Sequence, residues 1–201
     1  MNLFNQEPVT NVLPYDGVAD YYRKVLGHSQ ANDYYHRLLT SVAWRHDELV
    51  MFGKPIVTRR KVAWYGDRDY AYTYSNTTKQ ALPWIDELAQ LKARVEEHAR
   101  CSFNSCLLNL YHSGDEGMGW HSDDERTLGD DITIASLSLG AERKFSFKHK
   151  HDSRTVSLLL EHGSLLVMRN PTQQHWRHAL PKTRKVRQPR INLTFRTIFR
   201  T

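Results

Sequence analysis

Arg190-Ile191-Asn192-Leu193-Thr194-Phe195-Arg196 alternates strictly. On an extended chain Ile191, Leu193 and Phe195 fall on one face, and Arg190, Asn192, Thr194 and Arg196 on the other. The apolar face must cover a core. The polar face carries two guanidinium groups, which is costly unless anions pair with them or the strand is an edge with both arginines in water. Six residues of strand span about 20 Å. Two arginines leaning inward across that distance leave room for a short dicarboxylate, whose ends match the guanidinium fork.

The residues before this strand supply metal-ligand types. His121-Ser122-Asp123 places a histidine and a carboxylate at i and i+2, on one side of an extended segment. With one distant histidine they make a 2-His-1-carboxylate set, a geometry that suits non-haem Fe(II) and leaves positions open. His175-Trp176-Arg177-His178 offers that histidine, and spacing alone does not separate His175 from His178. The pair motif is weak by itself. His46-Asp47-Glu48 satisfies it too, and the chain has eleven histidines.

The coarse order of elements is helices, then short strands. Ser29 can cap a helix over Gln30 to Val42. A second helix is expected from Pro83, with Ile85, Leu88, Leu91, Val95 and Ala99 at helical spacing. The aromatic stretch Trp64 to Tyr74 favours strand. Further strands are expected over Cys106–Tyr111, Ile132–Leu139, Lys144–Lys148, Val156–Leu160, Ser164–Met168 and Ile191–Arg200. Ile132 and Ile134 are out of phase with Leu137 and Leu139, which predicts a bulge near Ala135-Ser136. The pattern is α+β, with a sandwich or barrel as its β part.

Composition bounds the function. The chain has 201 residues and a net charge of +6. After Glu161 there is no acidic residue but nine basic ones, from Arg169 to Arg200, so residues 1–161 are net negative. That asymmetry points to a polyanion, most simply nucleic acid, or to a solvated basic face. Cys101 and Cys106 fit reduced thiols and not a disulfide scaffold. The longest apolar runs are far short of a membrane span, and the N-terminus carries no secretory pattern, so an intracellular globular protein is expected.

Taken in order, Asn109-Leu110-Tyr111, His121-Ser122-Asp123-Asp124-Glu125, a distal histidine and Arg190-Ile191-Asn192-Leu193-Thr194-Phe195-Arg196 resemble the AlkB family of Fe(II)/2-oxoglutarate dioxygenases. The combination covers the C-terminal half and is specific where no single piece is. The resemblance implies a double-stranded β-helix (jelly-roll) core over residues 101–201, with N-terminal helices and a nucleotide-recognition region over 1–100 in the same structural domain. It implies Fe(II) held by His121, Asp123 and His178, with His175 nearby. It implies 2-oxoglutarate chelating that iron and meeting Arg190 and Tyr111 through its distal carboxylate, with Asn109, Asn192 and Arg196 completing its surroundings. The implied reaction gives succinate, CO₂ and formaldehyde as an N-methyl group leaves a nucleobase.

The resemblance also names substrate residues. A base in a duplex must leave the stack before it can react. Tyr72, Tyr74 and Ser75 would wall the flipped base, Glu125 would face a cationic lesion such as 1-methyladenine or 3-methylcytosine, and Asp124 joins them among the substrate-binding residues. Met51-Phe52-Gly53, followed by Lys54, Arg59, Arg60 and Lys61, resembles an apolar finger with phosphate contacts, which favours double-stranded DNA. The basic Arg143–Arg154 segment would grip the backbone. The expectation is a monomer acting on alkylated DNA, without a membrane, in the cytoplasm of a bacterium or the nucleus of a eukaryote. The competing readings are an RNA or single-strand demethylase and a non-catalytic nucleic-acid-binding module.

Overall fold

Helix α1 (His28–Ser41) buries Ala31, Tyr34 and Leu38, one apolar stripe at the expected spacing. It begins earlier than predicted. Gly27 is the extended residue before it and its carbonyl accepts the Ala31 N–H at 2.8 Å, so Ser29 lies inside the first turn and caps nothing. Helix α2 (Asp86–Ala99) buries Leu88, Leu91, Val95 and Ala99. Asp86 and Glu87 complement the dipole of its first turn. Pro83 does not start it. Pro83 belongs to a short strand, and proline is tolerated there because it need donate no ladder hydrogen bond. A one-turn helix, α3 (Thr172–His175), follows near the C-terminus.

The computed structural model describes residues 9–51, 54–74, 77–124, 126–129 and 132–199. Its strands in chain order are β1 (Thr10–Asn11), β2 (Val18–Tyr22), β3 (Arg45–Met51), β4 (Lys54–Gly66), β5 (Ala71–Tyr74), β6 (Thr77–Gln80), β7 (Leu82–Pro83) and β8 (Ser105–Tyr111). Then come β9 (Met118–His121), β10 (Ile134–Gly140), β11 (Arg143–His149), β12 (Thr155–Leu160), β13 (Leu165–Arg169), β14 (Trp176–Leu180) and β15 (Arg190–Arg196). The major sheet runs β1-β2-β13-β10-β15-β8-β4-β3, with β7 beside β4. The minor sheet runs β12-β11-β14-β9, and β5 pairs with β6. Strands therefore precede, separate and follow the two long helices, and both halves of the chain contribute to the major sheet.

Two cores stabilise this arrangement. On the outer face of the major sheet, Leu38, Leu88 and Leu91 pack with Leu137 and Leu193. Between the sheets, Phe147 and Trp176 pack with Ile134 and Leu166. The major sheet is thus buried on both faces, as expected for a jelly roll with helices behind it.

That two-sided burial removes the predicted bulge. Strand β10 pairs without a register shift, Ala135 with Phe195 through Gly140 with Arg190. Ala135, Leu137 and Leu139 face the helices, while Ile134 faces the minor sheet. The change of phase marks two buried faces and no inserted residue. Other corrections are at ends. The last strand stops at Arg196, short of Arg200, and the aromatic stretch breaks after Gly66, where the Asp67 N–H turns to the Asn104 carbonyl at 2.9 Å. A Cβ on Gly66 would come within 2.9 Å of Tyr70 and 3.1 Å of that carbonyl. Among the described residues no helix is long and apolar enough to cross a membrane.

The two faces of β10 make opposite predictions. Leu137→Ala, under the helices, should cost about 2–5 kcal/mol of unfolding free energy. Ser138→Ala, on the inner face, removes one hydrogen bond and should cost about 1 kcal/mol. Urea titration of both variants checks the difference; equal losses would contradict the assignment of faces.

Candidate active site

Register builds the site. In the minor sheet His178 of β14 stands opposite His121 of β9. Their rings lie 4.3 Å apart, centroid to centroid. Asp123 follows β9 by two residues, and its carboxylate oxygens lie 3.7 Å from His121 Nε2 and 3.8 Å from His178 Nε2. One donor atom of each of these three residues lies within 4.8 Å of the other two. The His121 Nδ1–H donates to the Gly119 carbonyl at 2.8 Å, which leaves the Nε2 lone pair for a metal. The Asp123 N–H donates to Gln173 Oε1 at 2.9 Å, so α3 holds the backbone of the third donor. His175, on the same helix, joins a different cluster, and the geometry separates it from His178.

Charge in the triad suits a cation. Burial pushes the Asp123 carboxyl up, but the Arg196 guanidinium at 3.0 Å and the two imidazoles outweigh this and hold it below its ordinary value. Burial pushes His178 down to about 4, against the pull of Asp123. His178 is therefore neutral at pH 7, the form that ligates metal. Phe145 stacks on it at 5.4 Å and fixes the ring plane.

The other end of the same cleft comes from the major sheet. Arg190 pairs across the sheet with Tyr111, and Asn192 with Asn109. The Arg190 guanidinium lies 5.7 Å over the Tyr111 ring. Its Nη2 donates to Ser138 Oγ at 3.0 Å and Asn192 Oδ1 at 2.8 Å. Arg190 is 2% exposed, its Nε has no hydrogen-bond partner, and no carboxylate pairs with it among the described residues. Burial lowers its pKa to about 10, so it stays charged at neutral pH. A dry cation with a free donor on the wall of a cleft fits a carboxylate ligand. All eight metal-site and cosubstrate candidates line this cleft.

Sequence reasoning missed several residues that shape the cleft. Ser136 donates to Asn192 Oδ1 at 3.0 Å, and Ser138 meets Arg190; their alternation with Ala135 and Leu137 was the available signal. Arg143 left no such signal. It is 1% exposed and donates to the Ser113, Glu116 and Pro181 carbonyls at 3.2, 2.8 and 2.9 Å. It is thus unavailable to a phosphate backbone, whereas Lys144 and Lys148 are exposed. The Gly-rich turn it clamps packs hard on the chain after β14. A Cβ on Gly114 would lie 2.1 Å from the Thr183 carbonyl oxygen, and one on Gly117 2.4 Å from that of Leu180.

The proposed substrate residues are less gathered. Arg60 pairs with buried Asp47 and donates to Met118 Sδ at 3.6 Å, at the cleft wall. Asp124 is exposed, 3.9 Å from Lys150 Nζ, and does not line the cleft. Tyr72 and Tyr74 lie in β5, opposite Lys79 and Thr77. Met51 ends β3, opposite Lys54. Phe52, Gly53, Ser75 and Glu125 lie outside the described residues. The competing motif His46-Asp47-Glu48 comes apart, with His46 exposed and bonded through Nδ1 to the Thr58 carbonyl.

The state of His178 gives a pH prediction. Between about 4 and its ordinary 6.5 the unfolded chain takes a proton on His178 that the folded chain refuses. The stability of the metal-free protein should therefore rise with pH across that window. Urea midpoints at pH 4.5 and 7 should show a smaller difference in His178→Gln than in the native chain.

The comparisons agree with the site. The sequence profile of the 2OG-Fe(II) oxygenase superfamily matches residues 19–196. The chain is 41% identical to the DNA oxidative demethylase ALKBH2 of Bos taurus, covering 92% of this chain and 71% of that protein. Against the human protein of that name the values are 40%, 92% and 76%. Against the human alpha-ketoglutarate-dependent dioxygenase alkB homolog 3 they are 37%, 95% and 67%. The solved structure of OsALKBH1 superposes with a TM-score of 0.66 over 94% of this chain and 100% of that one, at 17% identity, and so supports the fold. With its triad on the minor sheet and its buried arginine on the major one, the chain belongs to the AlkB family of the 2OG-Fe(II) oxygenase superfamily.

Proposed function

We propose that this protein is a DNA-repair oxidative demethylase that removes N-methyl groups from 1-methyladenine and 3-methylcytosine, with duplex DNA preferred. The observation that carries this reading is the pairing, in one cleft, of a His-Asp-His triad whose Asp123 and His178 are buried with a buried cation that has no carboxylate partner among the described residues. His121, Asp123 and His178 would hold Fe(II), and Arg190, with Tyr111, Asn109 and Asn192, would hold 2-oxoglutarate. Bound together, and with dioxygen as oxidant, they would supply the oxidative chemistry: one oxygen atom goes into succinate as 2-oxoglutarate loses CO₂, and the other becomes the hydroxyl on the N-methyl carbon.

The chain's own residues bind, orient and exclude water. Arg190 gives the distal carboxylate a charged partner that water cannot screen. Arg196 balances the charge of Asp123, and Phe145 keeps His178 in plane. The hydroxymethyl product then loses formaldehyde without an acid or base from the triad. Names of the relatives support DNA as the substrate. Duplex preference rests on the β3–β4 hairpin, whose two arms end at Met51 and Lys54, with Arg59 and Lys61 along the second arm.

Purified protein with Fe(II) should revert a single 1-methyladenine in a duplex oligonucleotide only when 2-oxoglutarate is present, and faster than in the single strand, as read by mass spectrometry. Reversion only on the single strand would overturn the duplex preference. No reversion with 2-oxoglutarate still consumed would overturn the substrate.

Arg190→Met separates function from stability. It should weaken 2-oxoglutarate binding about 10- to 100-fold, since a charge-assisted hydrogen bond is lost. The melting temperature should hold or rise, because a lone buried charge is replaced by apolar volume. Unchanged affinity by calorimetry would contradict the assignment of Arg190.

A further inference from the structure

A second His-His-Asp cluster lies outside the cleft. Asp16 sits in the loop between β1 and β2, His149 ends β11, and His175 ends α3. One donor atom of each lies within 4.8 Å of the other two.

His149 is the centre of the cluster. It is 5% exposed, and its ring is held between Tyr15, edge-on at 5.3 Å, and Trp176 at 4.9 Å. Asp152 meets its Nδ1 twice: the Asp152 N–H donates to it at 3.4 Å, and Asp152 Oδ1 lies 2.9 Å away. The other Asp152 oxygen accepts the Tyr15 hydroxyl. When Nε2 binds a metal, Asp152 Oδ1 is placed to take the proton on Nδ1, the arrangement that prepares a histidine for a metal.

That Nε2 is buried and has no hydrogen-bond partner. It faces Asp16 Oδ2 at 3.4 Å. Tetrahedral zinc with bonds of about 2.0–2.1 Å sets its ligand atoms about 3.3–3.4 Å apart. The His175 ring lies parallel to that of His149, at 6.3 Å and 12°, and supplies the third donor. Asp16 is exposed, so a water can take the fourth position.

The loop that carries Asp16 is already docked by other bonds. The Trp176 indole N–H donates to the Tyr15 carbonyl at 3.1 Å, and the Val18 N–H to Thr172 Oγ1 at 2.9 Å. We propose that Asp16, His149 and His175 form a second divalent-metal site, suited to zinc, which fastens the β1–β2 loop to the minor sheet and to α3. The site shares no ligand with the catalytic cleft. It shares α3, whose Gln173 holds the Asp123 backbone.

The test uses the full chain, stripped with a chelator, dialysed against excess Zn²⁺ and desalted before metal analysis. The native chain should hold two equivalents. His178→Ala, which disables the cleft, should hold one, and His175→Ala combined with His178→Ala none. Asp16→Asn, an exposed isosteric change, should also lose the second equivalent. Asp152→Asn should weaken it about 10- to 100-fold. Zn²⁺ should raise the melting temperature of His178→Ala and leave the double variant unmoved. No equivalent in His178→Ala, or one that survives both His175→Ala and Asp16→Asn in that background, would overturn the proposal.

Discussion

Keeping one cation dry is the constraint on which the cleft depends. Arg190 stands in a strand whose opposite face, Ile191, Leu193 and Phe195, is wholly buried under the helices. The strand cannot turn the arginine out to water without exposing that face. Ser138 and Asn192 satisfy part of the guanidinium, and Nε is left over. The fold tolerates a lone buried charge because its hydrophobic contacts on the other side of the same strand are large. The result is a buried cation with an unpartnered donor on the wall of the cleft.

The His-Asp-His end of the cleft depends on the same sheet through a different residue. Arg196, at the far end of β15, pairs with Asp123 and cancels the charge that burial would otherwise suppress. The carboxylate is therefore ionised where it faces two imidazoles, one of them held neutral by burial. The minor sheet brings those imidazoles together as cross-strand neighbours, His121 against His178. Arg143 ties the turn before β9 to the chain after β14, donating to the Glu116 and Pro181 carbonyls. Strands from two sheets converge on the site, while Met51, Arg60, Tyr72 and Tyr74, four of the residues proposed to meet DNA, lie in β3, β4 and β5.

Much of this was legible in the sequence, and for physical reasons. The alternation of β15 survives in the structure because a strand between a core and a cleft needs two chemically distinct faces. The stripes of both long helices were legible for the same reason. Strand β10 was misread, since a strand buried on both sides shows apolar residues in both phases, and its serines then look like a defect. Helix starts were displaced by three residues or fewer, because Gly27 and Ile85 enter their helices extended with no side-chain cap. His178 and His175 could not be told apart by spacing. The choice between them is made by pairing with β9, a contact 57 residues away in the chain. Arg143 was read as a phosphate ligand, since nothing local distinguishes a buried arginine from a solvated one.

The central claim is that Arg190 and the triad serve one small dicarboxylate and one metal in a single cleft. A crystal structure grown without oxygen, with 2-oxoglutarate and a redox-inert divalent ion, tests it most directly. The ion should lie on His121, Asp123 and His178, with the distal carboxylate on the Arg190 guanidinium. An ion held by another set of residues, or a carboxylate bound away from Arg190, would contradict it.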